Sequence, residues 1–99
     1  MRDIVVRFKS ESPFYEKEES GLKPNTVRKL TKDDKRLDKL IRWSENKEYG
    51  LIFIIHADKK CHFIRKVTDV TFWQDIVIIS WRHPRVQENI GGLIDGSSD

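Results

Sequence analysis

Apolar and polar residues repeat along this chain with two periods, and the periods separate strands from helices. Ile4, Val6 and Phe8 fall on one face of an extended segment and Val5, Arg7 and Lys9 on the other, which predicts a strand over residues 4–9. Leu37, Leu40, Ile41 and Ser44 recur at i, i+3, i+4 and i+7, a helical stripe, and Thr31-Lys32-Asp33-Asp34 before them has the form of a capping box. Trp43 stands near the end of that helix, with Ser44 to Lys47 as its exit. Leu51 to Ile55 and Ile76 to Trp81 are continuous apolar runs, as strands covered on both faces require. Between them, Ala57-Asp58-Lys59-Lys60 supplies turn chemistry and Cys61 to Val70 returns antiparallel. Asp69 and Thr71 interrupt the pattern near a bend, and Phe72-Trp73-Gln74-Asp75 makes the next turn.

The stretch from Ser12 to Leu30 has a different grammar. Ser12 is a candidate N-cap, Pro13 suits the first helical position, and Gly21 suits the left-handed position past a helix over residues 13–20. That helix is expected to turn Phe14 inward and to leave Glu16, Lys17, Glu18 and Glu19 in water. Pro24 cannot continue a helix and holds Lys23 extended, so a strand over residues 25–30 follows. Its parity places Thr26 and Arg28 on one face and Val27 on the other, the core side, so that Lys23, Thr26 and Arg28 line one pocket mouth. The resulting order, βαβαβββ with two short helices and a late meander, predicts an α+β chain built as a small mixed β-barrel. Residues 1–82 are expected to form one domain and residues 83–99, diluted by Pro84, Gly91, Gly92, Gly96, Ser97 and Ser98, a flexible tail.

Charge sharpens this picture. The net charge is +3, but residues 83–99 hold only Arg85 against Glu88, Asp95 and Asp99, which leaves 18 Lys and Arg against 13 Asp and Glu in the rest. A basic body is compatible with a polyanionic partner. No apolar run approaches a membrane span and no apolar leader follows Met1, so a cytoplasmic protein without a membrane partner is expected. Cys61 is the single cysteine and is expected to be a small strand residue rather than a thiol nucleophile. His56, Cys61 and His62 flank one hairpin turn, yet a zinc site takes four ligands or three and water, and no second pair exists; no metal or cofactor is expected. No nucleophile elbow and no Gly-rich phosphate loop is present.

Gly21, Lys23, Thr26 and Arg28, in a short helix ending in Gly, then Lys, then Thr-x-Arg on a strand, resemble the signature of ASCH domains, small members of the PUA-like superfamily. The resemblance covers roughly residues 3–82. It implies a PUA-like barrel with a cleft between the first helix and the barrel that receives RNA or a nucleotide-like base. Some ASCH proteins are amidohydrolases of acylated cytidines that use the motif Lys and Thr with a Glu from a later helical insertion. This chain has Lys23 and Thr26 but a very short turn where that insertion would stand.

Three functions therefore compete. In the first, an RNA-binding module, Arg28 grips phosphate or a base edge, Lys23 adds charge, Thr26 exchanges a hydrogen bond with a base, Trp73 offers a stacking platform and Arg65 with Lys66 extends the basic surface. In the second, a small hydrolase of modified nucleosides, Asp69 or Asp75 supplies the acid. The third is a protein-interaction module of the kind that short phage or mobile-element chains of ASCH type resemble. The first is preferred, with no catalytic residue and a monomer as the working unit.

Overall fold

The computed structural model describes residues 5–84. Five strands and two helices follow the expected order: β1 (Val5–Ser10), α1 (Phe14–Ser20), β2 (Asn25–Lys29), α2 (Lys35–Asn46), β3 (Leu51–His56), β4 (His62–Trp73) and β5 (Ile76–Trp81). They form one curled sheet ordered β1-β3-β4-β5-β2, a half-barrel in an α+β chain. Among the described residues only the β1–β3 pair is parallel. The curl comes from β4. Its first half pairs with β3 and its second with β5, and the register shifts between Val67 and Asp69 where the sequence pattern breaks. A bulge there bends and twists the strand, so one long strand serves both halves of the sheet.

Val6, Phe8, Ile52, Ile54, Val67, Val77 and Ile79 point into the concave side, where Leu40 and Trp43 of α2 and Tyr15 of α1 close the core. Burying one such aliphatic side chain contributes about 1.5–3 kcal/mol. Tyr15 sets the pose of α1: its ring lies 4.9 Å from that of His56 and 5.3 Å from that of Phe63. Burial pushes the Tyr15 phenol well above its ordinary pKa, with a hydrogen bond to Cys61 adding to the shift.

Several sequence expectations are corrected. The inward face of α1 carries Tyr15 and Glu18, and Phe14 is exposed, because the helix begins at Phe14 with Pro13 as its cap residue. Ser12 does not cap; its hydroxyl donates to Glu16 Oε2 at 2.7 Å. The second helix starts four residues after Thr31, since Thr31 to Asp34 close a turn and Asp34 takes the cap. Trp43 lies in the last turn of that helix as expected, but Ser44, Glu45 and Asn46 belong to the helix rather than to its exit, with Lys47 as the C-cap. In β2 the parity is inverted relative to hydropathy: Thr26 is buried and Val27 is 48% exposed. The β4–β5 turn is only Gln74-Asp75, with Phe72 and Trp73 still paired in the strand. His83, expected in the tail, is buried: its ring would meet a Cβ on Gly21 at 2.9 Å, so Gly21 serves both the left-handed φ of 94° and this close approach. The rest of that expected tail, residues 85–99, and Ile4 lie outside the described residues.

The α2 cap yields a measurable prediction. Asp34 Oδ1 accepts from the Arg36 backbone N at 2.9 Å, and its two oxygens take Arg36 Nε at 2.9 Å and Nη2 at 2.6 Å. Those Arg36 hydrogen bonds lower the Asp34 pKa from 3.8 to about 2. A carboxylate favoured by folding stabilises fully above its ordinary pKa and loses that contribution as pH falls through the folded value. Asp34→Ala is therefore expected to cost about 1 kcal/mol at neutral pH. In urea titrations the gap between variant and parent should close as the pH is taken from 3.8 towards 2.

Candidate functional site

Curling brings the two edge strands of the sheet, β1 and β2, face to face across a seam. In a parallel edge strand alternate residues aim their carbonyls away from the sheet, and unpaired edge groups must be covered. Here three cations cover them. Lys39 Nζ donates to Val5 O at 2.6 Å, Arg36 Nη1 to Arg7 O at 2.8 Å and Arg28 Nη1 to Lys9 O at 2.8 Å. The first two come from α2 and the third reaches across from β2.

Arg28 is the hub. Its Nε donates to Thr26 Oγ1 at 2.9 Å and its Nη2 to Ser10 Oγ at 2.7 Å, while its guanidinium lies 4.8 Å from the centre of the Phe8 ring. Arg36 approaches the same ring at 4.3 Å. Burial pulls the Arg28 pKa below its ordinary value, opposed by the charge of Glu18. Arg28 remains a cation, because guanidinium is not deprotonated in proteins.

Glu18, which the sequence places in water, is 2% exposed. Its Oε1 accepts from Ser10 Oγ at 2.8 Å and its Oε2 stands 3.6 Å from Lys23 Nζ. Lys23 also donates to Asn25 O at 2.9 Å. A buried carboxylate requires such partners, and Lys23 and Ser10 supply them. The available signal was its i, i+3 spacing from Tyr15, the aromatic that faces the core.

Two hollows open along the seam and share Lys9 and Arg28. One, of about 490 Å³, has five basic residues in its lining, Arg7, Lys9, Arg28, Lys29 and Arg36, beside Phe8, and no acidic residue among the described residues that border it. Arg36 is engaged by Asp34, and Lys29 lies 3.1 Å from Asp75. The other, of about 390 Å³, is lined by Lys23, Thr26 and Arg28 together with Glu18, Phe14 and Val27. Both volumes lie in the range of small-molecule sites, about 300–1,000 Å³.

Lys23, Thr26 and Arg28 thus meet at one hollow, and its aromatic wall is Phe14 rather than Trp73. Trp73 is 61% exposed at the end of β4, in a cross-strand row with Ile76 and Lys29 on the outer face of the sheet. Arg65 packs 4.7 Å from the Phe63 ring centre and gives Nη2 to Glu19 O at 2.9 Å, the same carbonyl that accepts from His83 Nε2 at 2.9 Å. Both anchor the C-terminus of α1, whose last carbonyls need donors. Neither Trp73 nor Arg65 borders either hollow.

His56 is also accounted for. Its Nδ1 accepts the backbone N–H groups of Asp58 at 2.9 Å and Lys59 at 3.1 Å, so its proton sits on Nε2, 3.0 Å from Ser12 Oγ. In that tautomer it donates to Ser12 and cannot serve it as a base. Among the described residues no group of three His, Cys, Asp or Glu side chains is placed to hold a metal ion, and no helix is long and apolar enough to cross a membrane.

Fold and site together define an α+β half-barrel whose open seam is cationic and concave. Comparison of the chain with protein-family models, curated proteins and solved structures gives no match.

Proposed function

We propose that this chain is an RNA-binding module of ASCH type, with the seam between β1 and β2 as its binding surface. The observation that carries the reading is the hollow lined by Arg7, Lys9, Arg28, Lys29 and Arg36 with no acidic residue among the described residues that border it. Cations gathered on a concave surface focus potential and attract phosphates. The neighbouring hollow adds what an unpaired base uses: an aromatic wall in Phe14 and polar groups in Thr26, Lys23 and Glu18. The motif residues Gly21, Lys23, Thr26 and Arg28 are those on which the ASCH resemblance rests, and three of the four border this hollow. Binding is favoured over hydrolysis of acylated cytidines because Thr26 Oγ1 has Arg28 Nε as its partner, a donor that cannot take a proton from a nucleophile.

Fluorescence titration of a short single-stranded RNA across a salt series tests the reading. Log affinity should fall linearly with log salt, by about 0.7 per phosphate neutralised. A chain that binds no RNA at low salt ends the proposal.

A further inference from the structure

We infer that the unit recognised is a single nucleotide bound across Arg28, with its phosphate in the five-cation hollow and an amine-bearing base in the hollow beside Glu18. The inference rests on the RNA-binding reading and adds to it which bases are accepted and which residue selects them.

The two hollows have Arg28 and Lys9 as a common wall but opposite chemistry on their far sides. An arginine carries five N–H donors, of which Arg28 commits three to Thr26, Lys9 O and Ser10. The remaining two, one on each terminal nitrogen, are available to a phosphate beside it. The other hollow is bordered by two acidic residues, the exposed Glu11 and the buried Glu18, and Glu18 is the one held in a fixed set of partners. Its Oε1 accepts from Ser10, whereas Oε2 has Lys23 Nζ at 3.6 Å, outside hydrogen-bond distance. Oε2 therefore retains acceptor capacity, and Glu18 lines the hollow that also holds Phe14, which is 55% exposed.

A carboxylate accepts and does not donate. An exocyclic amine on a ring, as in cytosine or adenine, supplies the N–H it needs, and Lys23 stands beside it to donate to the adjoining ring nitrogen. An oxo group at the same position, as in uracil or hypoxanthine, would set lone pairs against a buried negative charge. Sites built to hydrogen-bond a substrate N–H reject the analogue lacking it strongly, because the buried polar group is left unpaired. Glu18 would thus discriminate by repulsion as well as by attraction.

Isothermal titration of the full chain at low salt with two isosteric pairs tests this: CMP against UMP, and AMP against IMP, with inorganic phosphate as competitor. The amine-bearing member of each pair should bind about tenfold tighter or more, and phosphate should compete with all of them. Glu18→Gln replaces an acceptor-only group by one that also donates and should bring both ratios towards one. Phe14→Ala, at an exposed position, should weaken the nucleotides about tenfold, and more than it weakens phosphate. Equal affinities within both pairs in the parent, with RNA binding intact, overturn the inference and leave the RNA-binding reading standing. A Phe14→Ala loss equal for phosphate and nucleotides also overturns it, since the hollows would not be separate subsites. Failure of the parent to bind any nucleotide or RNA overturns both.

Discussion

Arg28→Ala should weaken single-stranded RNA binding at least about tenfold and lower the salt slope by roughly the share of one phosphate contact. The same change should also destabilise the fold by about 2–3 kcal/mol, because it strands three partners at once. Thr26 Oγ1, Lys9 O and Ser10 Oγ each lose a charge-assisted bond, and the two edges of the half-barrel lose the strut between them. Arg28→Lys separates the two effects. An ammonium keeps the charge, so the salt slope should persist, but it cannot reproduce a planar fork reaching three acceptors, so most of the stability loss should remain. Urea titrations beside RNA titrations read both quantities. An Arg28→Ala protein that is folded and binds RNA with parental affinity would remove Arg28 from the interface.

Glu18→Ala should be the most damaging single change outside the apolar core, at about 3 kcal/mol. Removing one member of a buried polar set leaves the others uncompensated, and for a buried ion pair that costs about 3–5 kcal/mol. Lys23, with its side chain 31% exposed, recovers part of its hydration and moves the expectation to the lower end. Ser10 Oγ, which accepts from Arg28 and donates to Glu18, loses its acceptor, so the disturbance runs through the hub to the seam. Glu18→Gln keeps an oxygen for Ser10 and should cost about 1 kcal/mol. Chemical denaturation of both variants decides between this account and a solvated Glu18, for which Ala and Gln would be equally harmless.

The contrast between Glu18 and its neighbours shows where sequence reading stops. The strands were legible because hydropathy alternates or runs unbroken through them, and even the bend in β4 was visible as Asp69 and Thr71 breaking an apolar pattern. The site was legible in part. Gly21 and Pro24 fixed how the chain turns, and the shared parity of Thr26 and Arg28 placed both on one face. Which face that was could not be read, since hydropathy assigns Val27 to the core and the concave side of β2 is polar. Glu18 was missed for a related reason: among four consecutive charged residues, nothing local marks the one whose hydrogen-bond donor arrives from β1 and whose counter-charge arrives from the loop after α1. Trp73 and Arg65 were chosen by side-chain type, and their positions depend on cross-strand register and on the docking of α1, which only the assembled sheet defines.

The cationic cover on the β1 carbonyls ties colloidal behaviour to the lining of the seam. Lys39, Arg36 and Arg28 deny an incoming chain the acceptors it would need to extend the sheet, and two of the three also line the larger hollow. Neutralising those arginines to silence the interface would at the same time uncover a template for fibrillar growth. The same two arginines thus serve the cover of an open edge and the lining of a hollow, so any substitution that removes them should be followed by sedimentation or light scattering for self-association.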